Sequence, residues 1–131
     1  MKQSRFKFRA RMLKNTKEKK KGEWVYWEIN QKGYSDICGY LDWETLCQST
    51  GLLDSKGVEI YEGDIVKVIA RWHDGQVENC ISEIEWRVDH FGGYYRWDWN
   101  DKNKGGEFYL GVENKHVEII GNTFDNPELL K

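Results

Sequence analysis

Along most of this chain, apolar and polar positions alternate with period two, the spacing of a half-buried strand rather than a helix. In RFKFRARM, residues 5–12, Phe6, Phe8, Ala10 and Met12 share one face, and Arg5, Lys7, Arg9 and Arg11 the other. That pattern predicts a strand with a basic stripe along its exposed side. LKNTKEKKKG, residues 13–22, predicts a flexible basic hairpin loop, and EWVYWEI, residues 23–29, the returning strand. Residues 30–50 read as irregular, with a short helical turn in DWETLCQ capped by Asp42. From residue 51 the signals sharpen: turn chemistry at 54–57, a strand VEIY, a tight turn at Glu62, Gly63 and Asp64, and the β-branched run IVKVI. Gly63 supplies a backbone angle that other residues resist, and Asp64 has the side chain to bond its own turn. Asp74-Gly75 is a hairpin signal.

Beyond it VENCISEIEWRV reads as one amphipathic strand, with Ile84, Trp86 and Val88 opposite Glu83, Glu85 and Arg87. Tyr95, Trp97 and Trp99 then share a face, NDKNKGG turns the chain, and EFYL returns it. The end, HVEIIGNTFDNPELLK, predicts a strand and then a helical turn opened by Asn126 and Pro127. Many short strands, turns between them and little helix predict a mostly β fold. Its natural closure is a small antiparallel, strongly curved, partly open barrel with extra hairpins, which protects strand edges.

Composition sharpens this expectation. The 131 residues fit a single domain spanning 1–131, and seven Trp, seven Tyr and five Phe can fill a small core. No apolar run suits a membrane helix, and no apolar stretch follows the basic start as in a signal peptide. Three cysteines without close pairing fit reduced thiols in a cytoplasmic protein. The net charge of −2 hides an asymmetry. Residues 1–21 hold ten basic side chains and one acid, a balance of +9, which leaves −11 for the remainder. Such a split is a hint of polyanion binding, although exposed charge runs are ordinarily plain surface and the pI near 5.9 is low for a nucleic-acid binder.

Three stretches carry a resemblance. CQSTGLLDSKGVEIYEGDIVKV (47–68), VEIIGNTFDNPELL (117–130) and the opening FKFRA (6–10) resemble the signatures of the YopX-like family of phage and prophage proteins. They stand in that family's order and span nearly the whole chain. The tryptophan-bearing strand that follows FRA there is displaced here to Trp24 and Trp27 by the lysine-rich segment. The resemblance implies a mostly β fold with an SH3-like barrel element, a phage or prophage origin, and no catalytic residues.

Specific chemistry is sparse. Cys38, Cys47 and Cys80 with His73, His90 and His116 lack the close pairing of a zinc site, so no metal or other cofactor is expected. Nothing resembles a nucleophile elbow or a phosphate-cradling loop, and Glu62 and Asp64 are better explained by the turn at Gly63 than by acid–base work. The chain is thus expected not to be an enzyme. The leading expectation is an accessory binding or assembly module in the bacterial host cytoplasm, partnered by a host or phage protein or by itself as a homo-oligomer. An alternative is a single-strand nucleic-acid binder using Arg5, Lys7, Arg9 and Arg11 with Tyr95, Trp97 and Trp99, since small β-barrels stack bases on rings within a positive groove. Alternating aromatics are more often the core side of a strand. A weaker alternative is an inhibitor of a host enzyme, its acidic body imitating a polyanion.

Overall fold

In a computed structural model, the described residues are 6–28, 38–71, 74–75, 77–89, 92–98, 107–109 and 116–130. They fall into two compact units, Ser4–Ser49 and Thr50–Lys131. Each unit has its own apolar cluster. Among the described residues nearly all regular structure is antiparallel β, with two 3₁₀ turns, Cys38–Tyr40 and Pro127–Leu130. The described strands form no closed barrel.

The N-terminal unit is built on β1 (Lys7–Met12), which pairs with β2 (Trp24–Glu28) on one side and with β3 (Leu41–Leu53) on the other. The alternation in the sequence holds for three of its four apolar positions: Ala10 and Met12 are buried with Val25, Trp27 and Leu41, and Phe8 packs against them, whereas Phe6, ahead of the first strand residue, is exposed. Phe8 stacks on Trp27, with ring centroids 6.0 Å apart, and Trp43 meets Trp27 edge-on at 6.1 Å.

Loop 13–23 carries a dense set of local bonds. Gly22 N donates to Met12 O at 2.8 Å, Thr16 N to Lys19 O at 2.7 Å, and Lys21 N to the Asn15 side chain at 2.8 Å. Short polar side chains therefore fold the backbone of a segment whose composition reads as mobile.

Residues 41–53 overturn an expectation. DWETLCQ is no helical turn; it lies inside the 13-residue strand β3. Its register explains the misleading signal. Arg9 pairs with Cys47 and Arg11 with Asp42, so Ala10 stands opposite the four residues 43–46. Within this wide bulge, the Asp42 carboxylate accepts Glu44 N at 3.1 Å and the Thr45 hydroxyl donates to Asp42 O at 2.6 Å. Those are the contacts of a cap, used here to bend a strand. Thr45 Oγ1 also accepts Arg11 N at 2.8 Å, giving that amide the partner a straight ladder would have supplied.

The C-terminal unit holds the end of β3 beside β4 (Glu59–Tyr61), a sheet of order β10-β5-β6 and a second of order β7-β8-β9. These strands are β5 (Asp64–Arg71), β6 (Val77–Glu83), β7 (Glu85–Asp89), β8 (Gly92–Asp98), β9 (Glu107–Tyr109) and β10 (Val117–Asn122). The core is Ile60, Val66, Val68, Cys80, Ile84 and Val117, with Ile119 against it. The β5–β6 pair ends at Arg71 opposite Val77, as the Asp74-Gly75 signal predicts.

The expected single strand 77–88 is instead two strands in different sheets, divided at Ile84. Ile84 is buried and its backbone binds the EGD turn: Ile84 N donates to Asp64 O at 2.8 Å, and Gly63 N donates to Ile84 O at 2.9 Å. Trp86, two residues on, is exposed. Alternation alone cannot reveal such a division, because both pieces keep period two.

Candidate functional site

The turns that resemble family signatures have a structural explanation. Gly63 has φ +84° and Asp64 is buried, its carboxylate accepting Tyr61 N at 2.8 Å. Thr123 N donates to Gly63 O at 2.9 Å, tying the C-terminal segment to the same turn. Glu62 is half-buried. In GNTFDNP, the Asn122 side chain accepts Phe124 N at 3.0 Å and Asp125 N at 2.9 Å. The Asn126 side chain accepts Asn122 N at 3.2 Å and lies so near Gly121 that a Cβ there would sit 2.6 Å from Asn126 Oδ1. That position accepts glycine because the asparagine occupies the space of a side chain.

Sequence reasoning missed the central role of Asp54, although its turn was predicted. Its buried carboxylate accepts Lys56 N and Val58 N at 2.9 Å each, and Ile119 N at 3.1 Å. The same turn meets β10 twice more, through Ser55 N to Val117 O at 2.7 Å and Lys56 Nζ to Glu118 at 2.7 Å. That ion pair raises the Lys56 pKa, through the hydrogen bond to Glu118 and then its charge.

The predicted basic stripe is altered in place. Arg9 is buried instead of exposed, with its guanidinium carbon 4.7 Å from the centroid of the Trp24 ring. Lys7 is half-buried and pairs with Glu28 at 3.7 Å, and Arg11 is half-buried. Arg5 lies outside the described residues. Tyr95 and Trp97 are on β8, opposite Trp86 and Phe108 in the register, while their side chains and Trp99 lie outside the described residues. The basic strand and the aromatic strand belong to different units.

Of the metal-ligand types, Cys47 is buried on β3 and Cys80 on β6, in different units, Cys38 is half-buried and His116 exposed. His73 and His90 lie outside the described residues. Among the described residues no three such side chains converge.

One titrating group stands out beside the sheet switch. Burial, and then the hydrogen bond and charge of Glu85, push the Glu83 carboxyl from its ordinary 4.5 up to about 7, against a lowering hydrogen bond from Thr123. The folded state therefore holds a proton that the unfolded chain releases near pH 4.5. This contribution to stability is fully present below that pH and is lost as pH rises through about 7. Discounted for partial exposure, it is on the order of 1 kcal/mol. Between pH 5 and pH 8 the unfolding free energy from denaturant titration should fall by that amount in the native chain and by less in Glu83→Gln. An unchanged difference in the variant would place the titration elsewhere.

Sequence reasoning also missed a second surface. Trp43 and Leu46, both in the bulge, are 45% and 42% exposed. Leu13 and Tyr40 are exposed as well, and join through Leu13 N to Tyr40 O at 2.7 Å. The bulge itself causes this display, since four residues opposite one cannot all keep the inward alternation.

These features describe a small antiparallel β protein whose most distinctive residues build turns. The profile of the YopX protein family matches residues 3–131, and the chain belongs to that family. No curated protein matches it. No helix among the described residues is long and apolar enough to cross a membrane.

Proposed function

We propose that this chain is a non-enzymatic accessory module of phage or prophage origin, binding or assembling with a protein partner in the bacterial host cytoplasm. The observation that carries it is the bulge of β3, which shows Trp43 and Leu46 to solvent in a unit that also exposes Leu13 and Tyr40. Tryptophan and tyrosine are favoured interface anchors, and exposed apolar surface on so small a unit has a use when a partner covers it. The two buried aspartates, Asp54 and Asp64, spend their carboxylates on backbone amides, which supports a structural role for both. An SH3-like, partly open closure belongs to the same proposal, supported by the change of sheet at Ile84.

Sedimentation over a concentration series, with affinity capture from a host lysate, tests the reading with Trp43→Ser/Leu46→Ser as the comparison. A defined oligomer or one stoichiometric partner, lost in a double variant that still melts cooperatively, is the expected result. Identical behaviour of both proteins would refute it.

A further inference from the structure

The lysine-rich hairpin has a use that does not involve the bulge surface. Residues 13–23 contain five lysines against two glutamates. One of those acids is consumed inside the loop: Glu23 pairs with Lys19 at 3.7 Å and accepts Lys20 N at 3.0 Å. Thr16 Oγ1 accepts Lys19 N at 3.0 Å, and Asn15 Oδ1 accepts Lys21 N at 2.8 Å. The short polar side chains are thus turned to the backbone. Lys14, Lys17, Lys20 and Lys21 are left exposed. Lys14 lies over the exposed Tyr40 ring, 4.9 Å from its centroid.

We infer that this preorganised hairpin is a docking site for the phosphate backbone of a nucleic acid, with Lys14, Lys17, Lys20 and Lys21 supplying the contacts. Two arguments favour that ligand over an acidic protein. An ammonium is a compact point charge, suited to phosphates met in any order and not to bidentate carboxylate recognition, which is arginine's strength. Lysine is depleted from protein–protein interfaces. The chain's net negative charge acts weakly at the hairpin, because screening at physiological salt decays over about 8 Å. This site differs from the strand-borne one expected from sequence, in which Arg9 is buried and Lys7 is paired. Its contacts touch no base edge, so binding is independent of sequence.

Four phosphate contacts set the salt dependence. The slope of log K against log salt is about −2.8 for a single strand and about −3.6 for a duplex. Raising salt from 50 to 200 mM then weakens binding about 50-fold for a single strand and about 150-fold for a duplex. The test is fluorescence anisotropy of a labelled oligothymidylate and a labelled mixed-sequence duplex with the full chain. Lys17→Ala/Lys20→Ala/Lys21→Ala should bind at least tenfold more weakly at low salt, with a slope shallower by about 2 to 3. The triple arginine variant at those positions should keep both affinity and slope, and Lys56→Ala in the other unit should change neither.

The relative strength of the two oligonucleotides assigns the strandedness. No binding by the native chain at low salt would overturn the inference. So would equal binding by the triple alanine variant, or loss of binding in the arginine variant. An oligomer that dissolves in the alanine variant, with no oligonucleotide bound, would also overturn it and make the acidic surface of a second copy the partner. The binding outcomes leave the bulge proposal untouched, because its test changes Trp43 and Leu46 and reads partner capture and oligomerisation.

Discussion

Asp54→Ala is expected to lower the stability of the C-terminal unit by about 3 kcal/mol. The carboxylate is the shared acceptor for three backbone N–H groups, two in its own turn and one from residue 119 on β10. Removing it leaves three donors inside a folded turn, and each costs about 1–3 kcal/mol where water cannot replace the lost partner. The upper end is not reached in full, because these amides are only part-buried. For a unit of this size the midpoint of thermal unfolding should fall by about 12 °C or more. Asp54→Asn is the informative companion. It keeps one acceptor oxygen for Lys56 N and Val58 N, but turns an amide donor toward Ile119 N, so its loss should lie between native and alanine. If both variants melt within about 3 °C of the native chain, the triple acceptor contributes little and the other contacts of β10 hold the segment.

Gly63→Val should cost about 2–3 kcal/mol, for a different reason. At φ +84° a β-branched side chain meets the backbone in a region that it almost never occupies. The turn cannot relax cheaply, because its backbone is held at both ends. Gly63 N donates to Ile84 O, where the chain changes sheets, and Gly63 O accepts Thr123 N from the C-terminal segment. Strain at one residue is therefore felt by β6, β7 and the segment after β10. Gly63→Asn, whose side chain tolerates the left-handed region, should lose less than half as much. Equal midpoints for the valine variant and the native chain in thermal unfolding would show that the turn does not need its positive φ.

Turn chemistry was legible because it is local. The residues Glu62, Gly63 and Asp64 carry their own instructions, since a positive φ and a short carboxylate act within three positions of one another. The same holds for Asn126-Pro127, where a 3₁₀ turn does begin. The apolar face of β1 was legible for a related reason. Period two is a property of the backbone, and Ala10 and Met12 are buried wherever a partner sheet face lies. Kinship was legible too: the three stretches resemble the family's signatures, and the family's profile matches residues 3–131.

The polar face of β1 was not. Arg9, Lys7 and Arg11 look equivalent in sequence, yet Arg9 is buried on Trp24 because β2 brings that ring across the strand, while Lys7 finds Glu28. Partners from other strands decide which member of a charged row keeps its charge in water. Asp42 and Thr45 show the same limit. They carry a genuine capping signal, and only the pairing of β3 with β1 reveals that it bends a strand and gives Arg11 N its acceptor.

By itself, then, the sequence determined the β character, the positions of its tight turns, the family and the charge asymmetry between the two ends of the chain. These depend on interactions among near neighbours or on composition, and both are complete before folding. Tertiary structure alone decided that the apolar residues divide into two cores, that 77–88 changes sheets at Ile84, that Asp54 holds β10, and that Trp43 and Leu46 face solvent. Each depends on contacts between residues far apart in the chain, whose register is chosen by burial and amide pairing across strands, and no local pattern encodes that choice.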